Sequence, residues 1–227
     1  RSRRAIIVTD GVFSMRGDHS PLKEIMALAA TYDGAFPENI LVVVDDSHGI
    51  GALGSTGRGT EEATGSGQAD ILIGTLGKAL GVNGGYAVAN GALIEYLRET
   101  SPPYVFSNPI SPPEAGAAAR ALEILDSDTG STLMEHLRKM TSRFRDGLEG
   151  LGFEYLENGH PIVPLMVRDS TRLGELSRHL RAGGILVTGL HFPVVPHGDE
   201  EVRFQISADH TAEDIDEALG ILATFAT

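Results

Sequence analysis

Short apolar runs separated by turn-forming residues alternate along the chain with stretches of helical periodicity. Ala5 to Thr9 is an apolar, β-branched run that ends at Asp10-Gly11, which predicts a strand followed by a turn. Pro21 then opens a helix, with Leu22, Ile25, Met26, Leu28 and Ala29 at three- and four-residue steps, and Gly34 and Pro37 close it. Ile40 to Val44 is continuously apolar, the pattern of a strand covered on both faces in a parallel sheet. Ile71 to Ile73 predicts a third strand and Tyr86 to Ala89 a fourth. Strand, helix and strand joined by short connections imply an α/β domain with a mostly parallel sheet.

The pattern changes after Ser101-Pro102-Pro103. An alanine-rich helix is expected from about Glu114 to Leu125, then a turn-rich hinge at Asp126 to Gly130. Leu133, Leu137, Met140, Phe144, Leu148 and Leu151 recur at helical steps, which predicts a long amphipathic helix closed by Gly150 or Gly152. Beyond it follow a strand (162–167), a helix (171–182), a strand (185–187), a strand (202–207) and a last helix (212–225). The expected organisation is the C-terminal part of a large α/β domain over residues 1–126 and a smaller α+β domain over 127–227. The chain starts almost on a strand and without methionine, so it reads as a piece of a longer protein.

Charge narrows the partners. With 18 basic and 31 acidic residues the net charge is −13, which argues against nucleic-acid binding. No apolar run approaches the ~20 residues that cross a bilayer, and no signal peptide is evident, so the expected address is the cytoplasm. The absence of cysteine excludes a disulfide scaffold, a thiolate metal site and a cysteine nucleophile.

Five polar clusters could carry chemistry. Asp45, Asp46 and His48 follow the Ile40 strand, where ligands bind in open α/β sheets. Asp45 and His48 could be metal ligands, acid–base partners or part of a solvated loop. Gly49 to Gly54 fits the dinucleotide G-x-G-x-x-G spacing, but carboxylates precede it and Thr56-Gly57-Arg58-Gly59 continues as loop. Gly74 to Gly81 holds a lone lysine, Lys78, with Thr75 three residues before it. It is not a Walker A loop, because Leu72 stands at the first glycine and Ala79 at the Ser/Thr. Its sparse charge points to a poorly solvated, nucleophilic amine. Ser14 follows the first strand; Ser107 and Asn108 lie in a proline-bounded loop; Arg203 projects from a late strand and suits a carboxylate.

A strand-end carboxylate, a nearby histidine, a lysine after the next strand and a late arginine together make up the equipment of a pyridoxal phosphate enzyme. DGVFSM (10–15), VDDSHGIG (44–51), GRG (57–59), GTLGKALG (74–81), GGY (84–86), YVFSN (104–108), VTG (187–189), FPVVPHG (192–198) and VRFQISADHT (202–211) run in order over nearly the whole chain. In these stretches the sequence resembles the α-oxoamine synthase family of fold-type I pyridoxal phosphate enzymes. FPVVPHG and the run to Thr211 draw it toward the branch that condenses glycine with acetyl-CoA.

The resemblance implies a large-domain fragment of the fold-type I architecture followed by a small α+β domain, and pyridoxal 5'-phosphate as cofactor. It implies that Lys78 forms the Schiff base and moves the glycine α-proton. Asp45 pairs with the pyridinium nitrogen, while His48 and Ser14 approach the 3′-oxygen. Thr75, and Ser107 with Asn108 from the other subunit of a homodimer, contact the phosphate. Arg203 anchors the substrate carboxylate, and no metal takes part. The implied reaction gives 2-amino-3-oxobutyrate and CoA, and its reverse would serve threonine breakdown. The family's chains are markedly longer, with the N-terminal portion missing here, and Ala35 to Asn39 looks inserted. Three alternatives stay open: another acyl-CoA or amino acid, as in the 8-amino-7-oxononanoate synthases; an inactive fragment or partner protein; and a metal-dependent hydrolase using Asp45, Asp46 and His48.

Overall fold

A computed structural model describes residues 2–226. The chain forms two compact units, one of residues 1–13 and 19–131, the other of residues 14–18 and 132–227.

In the first unit, β1 (Ala5–Asp10), β2 (Ile40–Asp45) and β3 (Ile71–Thr75) are parallel neighbours, and β4 (Gly85–Ala89) adds antiparallel to β3. Helix α1 (Leu22–Tyr32) connects β1 to β2 and packs one face of the sheet, where Leu22 and Ala29 meet Val42 and Val44. The crossover is short because Asp33 to Ala35 turns as a single 3₁₀ unit and Asp33 Oδ1 accepts the N–H of Ile40, delivering the chain directly to β2. Short helix α2 (Thr60–Thr64) follows the loop after β2. Helices α3 (Gly91–Thr100), α4 (Pro102–Val105) and α5 (Pro112–Leu125) come after β4. Ser111 and Glu114 form a capping box at the start of α5, and Ala118 of that helix packs on Leu76 and Leu80.

The continuous run in β2 predicts burial on both faces, and the structure differs. Register places Ile6, Val8, Leu41, Val43, Ile71 and Ile73 on the face opposite α1. There Ile6 is 59% and Val8 70% exposed. A parallel sheet is stable in water when both faces are covered, and one layer of helices covers one face. We therefore expect the isolated 227-residue chain to self-associate and to bind a hydrophobic dye, and the double substitution Ile6→Thr/Val8→Thr to lower both signals. Light scattering and dye fluorescence would measure this; a monodisperse monomer without dye binding would contradict it.

The second unit is built on an antiparallel sheet in the order β5 (Ile162–Met166), β7 (Glu201–Gln205), β6 (Thr188–Leu190). Helices α6 (Asp128–Gly150), α7 (Ser170–Ala182) and α8 (Ala212–Ala226) belong to it, apart from the first turn of α6. Phe144 of α6 packs on Phe204 of β7 with ring centroids 4.8 Å apart.

Two boundaries differ from the sequence pattern. Asp128 to Gly130, expected in a hinge, are the first turn of α6. The hydroxyl of Ser127 accepts the N–H of Gly130 and so caps that turn. The strand expected at 185–187 begins instead at Thr188. The N–H of Ile185 donates back to Leu180 O, a six-to-one closure of α7, which holds the next residues in the exit turn and leaves Leu186 86% exposed.

Candidate active site

Asp45, His48, Thr75 and Lys78 lie at or just beyond the C-terminal ends of β2 and β3, whereas Ser107 and Asn108 lie in the loop between α4 and α5. Asp45 is the last residue of β2, on the same sheet face as Ile73. Its Oδ1 accepts the N–H of Ser47 at 3.0 Å, and its Oδ2 enters no hydrogen bond among the described residues. Asp46 turns the other way and is 2% exposed. Its carboxylate accepts both the N–H (2.8 Å) and the hydroxyl (2.6 Å) of Thr60. A β-carbon at Gly11, Gly49 or Gly59 would collide with that carboxylate, so three glycines make its slot, and Gly59 also needs its φ of 84°. Burial raises the pKa of Asp46, and the Thr60 hydrogen bonds oppose the rise. Asp46 is thus spent on Thr60, and among the described residues no group of three His, Cys, Asp or Glu side chains converges as a metal site.

The pairing of Asp46 with Thr60 has a measurable consequence. Thr60→Val removes one hydrogen bond from a buried carboxylate and should cost about 1–3 kcal/mol. Because the folded pKa of Asp46 is raised, its protonated form is favoured in the fold, and stability is lost as pH rises through that pKa. The Thr60→Val loss should therefore be larger at neutral pH than under acid conditions. Denaturant melts of the full polypeptide at the two pH values test this; equal losses would refute it.

Ser47 ties the two strand ends together, since its hydroxyl accepts the N–H of Thr75 at 3.0 Å. The loop after β2 also lies against the loop after β3, where a β-carbon at Gly51 would come within 2.5 Å of Ala79 Cβ. Lys78, next to Ala79, is thereby held beside the Asp45–His48 segment. Its side chain is exposed, which departs from the expectation of poor solvation. It makes no ion pair among the described residues, and its carbonyl accepts the N–H of Gly81. His48 is half-buried at the same strand end and has an interaction of its own.

The hydroxyls are committed locally. Thr75 Oγ1 donates to Gly84 O (3.2 Å) and accepts from the N–H of Gly77 (3.2 Å), so it shapes the lysine loop. Ser107 donates to Pro103 O, and both Ser107 and Asn108 are exposed. Glu62 gathers the loop before α2 by accepting from Ser55, Thr56 and the N–H of Arg58, and against the opposing effect of burial these bonds, that of Ser55 foremost, hold its pKa down.

Ser14 and Arg203 belong to the second unit, and the structure brings them together. Arg203 Nη1 donates to Ser14 O at 2.7 Å. Arg203 also lines a cleft of about 1000 Å³ with Phe144, Leu186, Thr188 and His210. Sequence reasoning missed Ser47, Thr60 and Glu62, whose roles are loop contacts that no periodicity encodes. For Asp46 the sequence offers a metal-ligand or loop role, and the glycines at 11, 49 and 59 are the available sign that a side chain is enclosed.

These parts fit pyridoxal phosphate. Asp45 offers an open carboxylate oxygen for a protonated ring nitrogen, and Lys78 offers, in the adjoining loop, an amine with no ion pair among the described residues.

The aminotransferase class I and II family matches residues 1–222. The 8-amino-7-oxononanoate synthase of Thermosipho melanesiensis is 42% identical over 219 residues, 96% of this chain and 54% of that protein. The mitochondrial 2-amino-3-ketobutyrate coenzyme A ligase of Bos taurus is 43% identical over 218 residues, 95% of this chain and 50% of that one. Among solved structures, serine palmitoyltransferase of Sphingomonas wittichii superposes with a TM-score of 0.88 at 30% identity, over 97% of this chain and 54% of the other. The chain spans about half the length of the curated relatives it matches. It carries no helix, among the described residues, long and apolar enough to cross a membrane.

Proposed function

The chain belongs to the aminotransferase class I and II family, and from that premise we propose that it is part of a pyridoxal phosphate-dependent acyltransferase that joins glycine to acetyl-CoA. The observation that carries this reading is the seating of the Lys78 loop beside the Asp45 strand end, through Ser47–Thr75 and Gly51–Ala79. The bovine relative's name, 2-amino-3-ketobutyrate coenzyme A ligase, favours glycine and acetyl-CoA. The near-equal identity of the 8-amino-7-oxononanoate synthase supports the second reading, the same chemistry with another acyl-CoA or amino acid.

Pyridoxal phosphate, when bound, supplies an electron sink conjugated to the amino-acid α-carbon. Lys78 would hold the cofactor through Nζ, and the same atom would take the glycine α-proton. The new C–C bond forms at the thioester carbonyl carbon, the C–S bond breaks, and CoA leaves as the thiol. Asp45 holds a proton at the ring nitrogen. His48 would orient the thioester, and His48 and Ser14 are each assigned to the 3′-oxygen. Arg203 binds the glycine carboxylate through its guanidinium. Thr75, and Ser107 with Asn108 across a homodimer, serve the phosphate. For Thr75 and Ser107 this exchanges the present acceptors, Gly84 O and Pro103 O, for phosphate oxygens. We place this enzyme in the cytoplasm, running in reverse in threonine breakdown.

Borohydride reduction of the cofactor-loaded full polypeptide, followed by peptide mapping, should label Lys78. Turnover with glycine, alanine and serine against acyl-CoAs of increasing length should then be fastest with glycine and acetyl-CoA. Failure of the full polypeptide to form a reducible linkage would overturn the reading, and a longer acyl chain as best substrate would select the second.

A further inference from the structure

The central strand β7 carries two buried polar atoms that have no hydrogen-bond partner among the described residues, Oε1 of Glu201 and Nε of Arg203. The two residues are two apart on one strand, so their side chains leave the same face of the sheet. The flanking strands bring no charge to that face. Met166 and Leu190 stand opposite Glu201, and Pro164 and Thr188 stand opposite Arg203. Glu201 is 1% exposed, an uncommon place for a carboxyl group.

The charged groups that act on Glu201 are Arg16 and Asp18 of the 14–18 segment, Asp199 of the loop before β7, and Arg203. Asp199 pairs with Arg16 at 3.6 Å and with Arg168 at 3.3 Å, so Arg16 is already partly neutralised. Arg203 has no carboxylate partner among the described residues. Its one polar contact is the carbonyl of Ser14.

We propose that Glu201 sets the charge balance of the Arg203 site: as a neutral acid it leaves the guanidinium to a ligand carboxylate, and as an anion it takes the open Nε and competes with that ligand. The inference rests on the reading of Arg203 as the carboxylate anchor. Glu201 acts through Arg203 and is a positioning residue. Burial, the largest influence, pushes its pKa up to about 7, with Arg16 and Arg203 opposing and Asp199 and Asp18 adding to the rise. Below that pH Glu201 is neutral and the anchor is open. Above it, carboxylate binding must be accompanied by uptake of one proton, so affinity falls by up to ~10-fold per pH unit. By the same linkage, a bound carboxylate raises the pKa of Glu201.

The test uses the cofactor-loaded full polypeptide and acetate, a carboxylate without an amino group and with constant charge above pH ~6. Acetate affinity is read from NMR line broadening across neutral pH. Protonation is read from the infrared band of the protonated carboxyl. In the wild type, affinity should fall as pH rises, and a carboxyl band with a midpoint near neutrality should move to higher pH when acetate is added. Glu201→Gln should remove that band and flatten the affinity profile at its low-pH value. An unchanged pH slope in Glu201→Gln overturns the inference. So does a wild-type band that acetate does not shift, a readout that needs no variant to fold. Arg203→Gln separates the two readings. Acetate binding lost in Arg203→Gln, together with an unchanged slope in Glu201→Gln, leaves the anchor standing and removes the role of Glu201. Wild-type affinity retained in Arg203→Gln removes the anchor itself, and the inference with it.

Discussion

Lys78→Ala in the full polypeptide is expected to abolish the borohydride-reducible linkage and to lower acyl transfer by at least ~10³-fold, because in the proposed mechanism one side chain is both the covalent nucleophile and the group that moves the α-proton. The side chain is exposed and makes no ion pair among the described residues. Its loss should therefore shift folding stability by no more than about 0.5 kcal/mol. That separation makes the result interpretable, since an inactive variant with an unchanged denaturant midpoint has lost chemistry rather than structure. Turnover within tenfold of wild type would remove Lys78 from the mechanism. A reducible linkage mapped to another lysine would do the same.

The second large effect is a contrast between adjacent carboxylates. Asp45→Asn keeps an oxygen to accept the N–H of Ser47, so the strand end should retain its shape. It loses the negative charge that would hold a proton on the cofactor ring. Turnover should fall on the order of 10²–10³-fold, the size of a lost electrostatic contact at a reacting centre. Asp46→Asn should do the opposite. It places an amide donor where Thr60 supplies two donors to a buried acceptor, and a mismatched buried group costs about 1–3 kcal/mol. Its denaturant midpoint should drop while the folded enzyme turns over within tenfold of wild type. Steady-state kinetics and denaturant melts on both variants decide this. If the two phenotypes are exchanged, Asp46 and not Asp45 faces the cofactor.

Much of the fold was legible in the chain, because local patterning and covalent stiffness act over a few residues. Strands β1, β2, β3, β4, β5 and β7 appear at the short apolar runs of the sequence, and α1, α5, α6, α7 and α8 appear where helices were expected. Boundaries were less legible. Ser127 turned an expected hinge into a helix start, and the backbone closure at Ile185 displaced β6 toward Thr188. Both are single hydrogen bonds, which composition does not register. The short helices α2 and α4 span too few residues to show a helical period, and the amphipathic ten-residue helix α3 lay outside the expected elements.

For the candidate site, residue types and their order pointed to Lys78, Asp45, His48 and Arg203, since chemistry demands those groups and motif spacing preserves them. Sequence could not say which of two neighbouring aspartates is enclosed. That depends on glycines at 11, 49 and 59 and on Thr60, which meet only when the strand ends come together. Nor could it distinguish Glu201 from a surface carboxylate at a strand start. Its burial comes from tertiary packing, which also leaves the Nε of Arg203, on the same strand face, without a partner among the described residues. Local sequence determined the strands, the helices and the list of reactive side chains, because those follow from residue type and short-range sterics. Tertiary structure decided which carboxylates are exposed, which are enclosed and which face a cation, because desolvation and charge pairing are properties of atoms brought together from distant parts of the chain.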